Sequence, residues 1–153
     1  MNKALIFIAA IMLAGTTTSA NAQSPAAGLT KNPAGIAAVE FLDLAVNQKN
    51  VDEAIAKYVA PPYTQHDPGI PDGVDGVRNG ITGFLKQVPA LHIEFKRVIV
   101  DGDFVAVYSL FQGLGEHGTA VVDIFRVKNG KLVEHWDVKQ PVPESAANKN
   151  TMF

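Results

Sequence analysis

The residues of this chain that could do chemistry centre on Asp123, which stands inside the apolar run Val121–Val127. A charge among apolar side chains is costly unless a partner neutralises it. Side chains alternate along a strand, so Asp123 shares a face with Phe125 and projects among apolar neighbours. We interpret Asp123 either as a general acid or base in an apolar pocket, or as half of a buried ion pair that fixes sheet register.

His135 and Asp137 follow Asp123 across the hairpin turn Asn129-Gly130. A two-residue turn would set Asp123 opposite Trp136. A three-residue loop with Gly130 as a bulge would set Asp123 opposite His135 and bring Asp137 to the same face. We favour the bulged form because it places His135 and Asp137 on the same face of the sheet as Asp123. Asp123 is then either neutralised by His135 or kept protonated by burial.

A second candidate lies in the stretch YTQHDP, Tyr63–Pro68. His66, between a proline pair and a Pro-Gly loop, is placed to lean over the open end of a sheet; the alternative is a solvated loop histidine beside Asp67. The four histidines form no HxH or HExxH motif, so no metal is expected. No glycine-rich phosphate loop or nucleophile elbow is present, so no cofactor is expected either.

The N-terminus has the pattern of an export signal. Lys3 precedes the apolar run Ala4–Ala14, and Ala20-Asn21-Ala22 fits the small-x-small cleavage rule. We predict that residues 1–22 are a signal peptide, that the mature protein begins at Gln23, and that it is periplasmic or secreted. The alternative is an uncleaved N-terminal anchor. The apolar run is too short to span a bilayer, so no membrane association of the mature form is expected.

Composition narrows the possible partners. Beyond residue 22 the chain keeps 12 of its 13 basic residues against 15 acidic ones, a net charge of −3 without a basic cluster. Nucleic acid and anionic membrane surfaces are therefore unexpected partners. Cysteine is absent, so the exported domain must be stabilised by its core alone.

Hydrophobic spacing changes from helical to strand-like along the chain, after a lead-in of residues 23–32 that we expect to be flexible. Asn32-Pro33 is typical of a helix start, Asn50 opens a short second helix that ends at Pro61-Pro62, and a loop is expected from Pro61 to Asp75. A third helix is predicted over 77–88, although its glycines weaken it. Four hairpin-linked strands follow, over 91–96, 104–111, 120–127 and 132–138.

These elements predict an α+β domain over residues 33–144, with an antiparallel sheet packed on one face by three helices, and a polar tail over 145–153. The uncovered sheet face would carry apolar residues such as Ile124. Patches of that kind usually mark an interface, so we expect a homodimer packed sheet to sheet.

The order of QHDP, VVDIFRVKNGKLVEHWDV and QPVP resembles the SnoaL-like branch of the nuclear transport factor 2-like superfamily, over Ala34–Glu144. The likeness is greatest to proteins labelled as predicted SnoaL-like aldol-condensation enzymes. It implies a cone-shaped, strongly curved antiparallel sheet around helices, with an apolar pocket for a small molecule. It also implies that Asp123 acts as general acid/base and that His66 faces the pocket.

The resemblance further places Asp137 near the aspartate with which related epoxide hydrolases bind water. The cyclases carry a second catalytic histidine where this chain has Ser109 and Phe111, so their dyad is incomplete unless His66 or His135 substitutes. We therefore expect a cofactor-independent acid/base enzyme, with aldol, cyclase or isomerase-type chemistry on a small apolar carbonyl compound. The alternatives are a module that binds such a ligand without turnover and a dimeric interaction module of the same fold. The residues expected to contact the ligand are Tyr63, Tyr108, Phe125, Trp136 and Asp137.

Overall fold

The structure, a computed structural model, describes residues 23–153, so the predicted signal segment 1–22 lies outside the described residues. Within the described part no helix is long and apolar enough to cross a membrane. The helical elements are α1 (Pro33–Leu42), a π-helical turn (Asp43–Asn47), α2 (Val51–Tyr58) and α3 (Val74–Gln87). The strands are β1 (Val59–Gln65), β2 (His92–Asp101), β3 (Phe104–Gln112), β4 (Thr119–Lys128) and β5 (Lys131–Pro141).

The three predicted helices and four hairpin-linked strands are confirmed, but the sheet has a fifth strand. Its order is β1-β5-β4-β3-β2, and β1 pairs in parallel with β5 while the other pairs are antiparallel. The loop predicted from Pro61 onward is therefore wrong over 61–65. Because proline has no N–H to donate, the sequence suggested a loop at Pro61 and Pro62. A strand at the edge of a sheet nevertheless tolerates proline. The sheet is mixed, not wholly antiparallel.

The helices cover the inner face of the sheet and form the core with it. Asn32 caps α1 by accepting from the backbone N–H of Ala34, with Pro33 at the first helical position as predicted. The π-helical turn ends at Asn47, whose side chain both accepts from the N–H of Ile93 and donates to its carbonyl. This paired hydrogen bond ties the helical layer to β2 at the sheet edge.

The register of the β4–β5 hairpin differs from both predicted forms. The turn has two residues, since Lys128 pairs with Lys131, but Val133 is then an extra residue in β5. Beyond this bulge Asp123 lies opposite Asp137, and neither Trp136 nor His135 is its direct partner. The bulge nevertheless turns His135 and Asp137 toward the face of Asp123, as predicted.

The two terminal segments are more closely packed than predicted. In the lead-in, Ala26 is buried in the core and Ser24 donates to the Glu40 carboxylate, so this segment is docked on α1. In the tail, residues 145–153 form no helix or strand, but the carbonyl of Met152 accepts from the hydroxyl of Tyr108. Phe153 stacks on the Tyr108 ring with centroids 5.5 Å apart. The end of the tail therefore covers part of the outer sheet face.

Candidate active site

A cavity of about 530 Å³ lies between the inner face of the sheet and the helices. Most of its wall is apolar, and one side carries a row of polar groups. The apolar residues are Phe41, Leu42, Val46, Ile70, Pro71, Val77, Ile81, Phe84, Phe111 and Phe125. The polar row is Gln65, Asp67, Asp123, His135, Asp137 and Lys139. A cavity of this size and composition suits a small organic molecule.

The loop between β1 and α3 forms the rim of the cavity and packs closely on the helix. A Cβ atom at Gly76 would lie 1.9 Å from the carbonyl oxygen of Pro71, so a larger residue would displace the loop. A Cβ at Gly80 would lie 3.0 Å from the Ile70 side chain. Gly76 and Gly80 thus let this loop approach the helix, whereas a Cβ at Gly83 would meet nothing within 4 Å among the described residues.

Asp123 is the most deeply placed acid of the cavity, with only 5% of its surface exposed. Its Oδ1 lies 3.2 Å from Nε2 of His135. The bulge at Val133 makes this contact possible, because it places His135 opposite Phe125, one position diagonal to Asp123 on the same face. The prediction that Asp123 and His135 are in contact is confirmed, although the two residues are diagonal neighbours and not direct partners across the strands.

Gln65 determines which nitrogen of His135 carries a proton. Its Oε1 accepts from the backbone N–H groups of His66 and Asp67, each at 3.0 Å, and lies 2.9 Å from Nδ1 of His135. An atom that accepts from two backbone N–H groups is the amide oxygen, so Nδ1 of His135 must donate to it. A hydrogen bond between Nε2 and Oδ1 of Asp123 then requires a proton on one of these two atoms.

Lys139 links two further carboxylates on the cavity wall. Its Nζ lies 2.9 Å from Oδ2 of Asp67 and 2.8 Å from Oδ2 of Asp137. Burial would raise the pKa of Asp67, but Lys139 and the Gly69 N–H lower it overall. Burial raises the pKa of Asp137 despite the opposing effect of Lys139. Burial would lower the pKa of Lys139, but the two carboxylates raise it, so the amine stays protonated and is a poor nucleophile.

Tyr63 and Phe125 complete the inner wall around the acid. Tyr63 is 4% exposed, and burial, together with the charge of Asp123, raises the pKa of its hydroxyl. Phe125 packs between Phe41, at an edge-to-face angle of 81°, and His135. Of the predicted ligand-contacting residues, the cavity brings together Tyr63, Phe125 and Asp137.

One group of described residues could hold a metal ion. Ligand atoms of Asp123, His135 and Asp137 lie within 4.8 Å of one another. The ammonium of Lys139 already stands 2.8 Å from Asp137 and supplies positive charge to that carboxylate.

The structure does not place His66, Trp136 or Tyr108 in the cavity, which corrects the sequence-based expectation. Gln65 pairs with His135 on the inner face, so the next residue, His66, points to the outer face. There His66 stacks on Trp136 with ring centroids 4.4 Å apart, and its Nε2 lies 2.9 Å from Glu134. Tyr108 is on the outer face beside the tail.

Sequence reasoning missed Gln65, Asp67 and Lys139 as site residues. Lys139 follows the inward alternation of His135 and Asp137, so extending the strand pattern by two residues would have found it. Gln65 and Asp67 flank His66. The inward direction of their side chains could be predicted only from a strand at 59–65. That strand was not predicted.

The tautomer of His135 can be read by long-range ¹H–¹⁵N NMR of the imidazole rings. We expect Nδ1 to be protonated in the wild type and in Gln65→Glu, which keeps the acceptor oxygens. Gln65→Leu removes the acceptor, so Nδ1 should lose its proton, and the ring should keep only a proton on Nε2 that it donates to Asp123. Gln112→Leu, at an exposed glutamine on β3, is the control. An unprotonated Nδ1 in the wild type would contradict this assignment.

Comparisons with known proteins identify the family and the fold of the chain. Residues 38–135 match the family model described as a SnoaL-like domain, and no curated protein matches the chain. A protein named as a candidate polyketide cyclase from Bacillus cereus ATCC 10987 is 28% identical, with a TM-score of 0.60 over 70% of this chain and 74% of that one. A SnoaL-like protein of unknown function from Burkholderia thailandensis E264 is 19% identical, with a TM-score of 0.62 over 74% and 99%.

A third solved structure, TsrD from Streptomyces laurentii, is 20% identical, with a TM-score of 0.60 over 72% of this chain and 90% of that one. These likenesses confirm the α+β fold of the nuclear transport factor 2-like type, with three helices packed on an open, curled sheet. The family match covers more than half of the chain and includes Asp123 and His135. The chain therefore belongs to the SnoaL-like family.

Proposed function

We propose that this protein is a cofactor-independent acid/base enzyme that moves a proton next to the carbonyl group of a small apolar molecule. The observation that carries the proposal is the contact of Asp123 with His135 at 3.2 Å, at the wall of an apolar cavity. Candidate polyketide cyclases among the structural neighbours support this class of chemistry. Fold alone does not decide it, so the argument rests on the site.

Asp123 is the base in this proposal. Its Oδ1 is held by His135, while its Oδ2 has no hydrogen-bond partner among residues 23–153. Because the Asp123 side chain lines the cavity, its carboxylate is the group that can take a proton from a bound molecule. In this scheme His135 donates from Nε2 to Oδ1 of the ionised Asp123 and keeps that proton, and the proton that Asp123 takes from the ligand is the one that it later returns to the product.

Lys139 is the group that can stabilise the enolate oxygen formed when the proton leaves. Its ammonium is held by Asp67 and Asp137 and lines the same cavity. Fixed positive groups aimed at developing negative charge stabilise a transition state at little reorganisation cost. His66, which lies on the outer face, takes no part in this scheme.

Asp123→Asn tests the proposal directly. We expect exchange of the α-hydrogens of 2-tetralone in D₂O, followed by ¹H NMR, to slow on the order of a hundredfold. The unfolding free energy should change little, because the amide can donate to Nε2 of His135 and a buried charge is removed. Asp103→Asn, in the exposed turn between β2 and β3, is the matched control.

Two results would count against Asp123 as the base. The first is unchanged exchange in Asp123→Asn. The second is a loss of about 3–5 kcal/mol in unfolding free energy, which is the cost of breaking a buried pair and would identify a register-fixing interaction.

A ligand-binding module is the second candidate. Where the cyclases carry another catalytic histidine, Ser109 is buried in the sheet and Phe111 lines the cavity. This substitution removes a second acid/base group from the cavity but leaves its volume available to a ligand. Saturable binding of 2-tetralone without α-hydrogen exchange would favour this candidate.

We also propose a homodimer formed through the outer sheet face. Ile99, Phe104 and Val138 are large apolar residues exposed there, while the end of the tail packs against Tyr108 and Lys96. Exposed apolar patches usually mark interfaces. We expect light scattering at micromolar concentration to give the dimer mass, and Val138→Asp to lower it to the monomer. Lys128→Asp, at the exposed hairpin end, should leave the dimer intact; a monomeric wild type would refute the proposal.

Export is proposed on the sequence pattern of residues 1–22 alone. We expect the mass of the protein isolated from periplasm or medium to correspond to a chain that begins at Gln23. A chain that retains Met1 or Lys3 in those fractions would show that the segment is not cleaved there.

A further inference from the structure

The exposed residues of the cavity wall show where the cavity opens to solvent. Its deep part is formed by buried side chains such as Phe41, Tyr63 and Phe125. The exposed residues of the wall are Gly69, Pro71, Asn79, Gln87 and Lys139. They belong to the loop after β1, to one side of α3 and to the end of β5. The mouth of the cavity therefore lies between these three segments.

A stripe of three residues on α3 forms one side of this mouth. Asn79, Gly83 and Gln87 are spaced four residues apart, so they lie one above another on the same side of the helix. All three line the cavity, and Asn79 and Gln87 are exposed while Gly83 is half-buried. The stripe therefore places a residue without a side chain between two polar side chains, which leaves a notch in the rim.

Packing within the protein does not explain the glycine at position 83. Glycine is a poor helix former, because its backbone loses more conformational freedom on folding than that of other residues. At Gly76 and Gly80 a Cβ atom would lie 1.9 Å and 3.0 Å from the loop between β1 and α3. A Cβ atom at Gly83 would meet no atom of residues 23–153 within 4 Å. The missing side chain at position 83 therefore leaves open space at the mouth and permits no close contact.

We propose that ligands enter the cavity past Gly83, and that the absence of a side chain there determines how wide a molecule can pass. A side chain at this position would narrow the passage between α3 and the other two segments of the mouth. This inference rests on the proposed function in taking the cavity as the ligand site, and it adds the residue that controls access to that site.

An obstruction at an entrance slows both directions of exchange. A ligand crosses the same passage when it enters and when it leaves, so a larger residue at position 83 lowers the association and dissociation rates by the same factor. The dissociation constant, which is the ratio of the two rates, stays unchanged. A side chain that occupied the bound position of the ligand would instead weaken affinity without slowing dissociation.

A single thiol at position 83 tests this route. The chain has no cysteine, so Gly83→Cys carries one reactive group. Methyl and benzyl methanethiosulfonate attach disulfide-linked groups of two sizes to it, and dithiothreitol removes both. Stopped-flow fluorescence gives the two rates for N-phenyl-1-naphthylamine, an uncharged apolar probe. We expect the benzyl adduct to lower both rates about tenfold, the methyl adduct to lower both by less, and dithiothreitol to restore them.

Lys86→Cys is the matched control, because residue 86 is exposed on α3 but does not line the cavity. Its benzyl adduct should leave both rates unchanged. The unmodified form of each variant is the reference, and circular dichroism checks that each adduct remains folded. Gly83→Leu, which needs no reagent, should slow both rates equally and replaces the thiol variant if that variant does not fold.

Three results overturn the proposal. The first is a pair of rates that the adduct at position 83 leaves unchanged. The second is weaker affinity without slower dissociation, which would place the ligand itself in the notch. The third is a wild-type protein that shows no saturable binding of the probe, because the cavity would then not be open to an apolar molecule.

These measurements use binding and no turnover, so they separate two failures. Unchanged rates in the adduct remove the entrance at Gly83 and leave the proposed role of Asp123 intact. α-Hydrogen exchange that is insensitive to Asp123→Asn removes the proposed reaction and leaves the entrance standing.

Discussion

A single extra residue, Val133, determines what the cavity can do. Side chains alternate across a sheet, so a shift of one residue exchanges the two faces of a strand. The two-residue turn alone would send Trp136 inward and His135 outward; the bulge reverses this for the rest of β5. His135, Asp137 and Lys139 all reach the cavity because of it. Bulges next to active sites commonly re-aim side chains in this way.

The parallel strand β1 supplies the second half of the polar wall. It brings Gln65 beside His135, and the loop that follows brings Asp67 to Lys139. Two hydrogen-bonded links therefore join segments about 70 residues apart in the chain. Because Gln65 fixes the His135 tautomer and Lys139 is fixed by two carboxylates, the donors and acceptors of the wall are already oriented before a ligand arrives.

The sequence predicted much of the fold and part of the site, for definable reasons. Helical and alternating patterns located the helices and the four antiparallel strands, and Asp123 stood out because a charge in an apolar strand needs an explanation. β1 was not predicted, because its prolines are typical of a loop although an edge strand also tolerates them. His66 was wrongly predicted to face the cavity for the same reason, because the face on which its side chain lies follows from the position of β1. The bulge was placed at Gly130 where the structure has it at Val133, because no residue type marks that position.

The prolines of β1 have a consequence for the behaviour of the protein in concentrated solution. A strand at the edge of a sheet offers its free backbone groups to other chains and can seed fibrous aggregates. Pro61 and Pro62 are exposed on this edge and have no N–H group to offer. An added strand would therefore find gaps in the ladder where it needs donors. Pro61 and Pro62, which made β1 difficult to predict from the sequence, therefore also protect the folded domain from open-ended sheet growth.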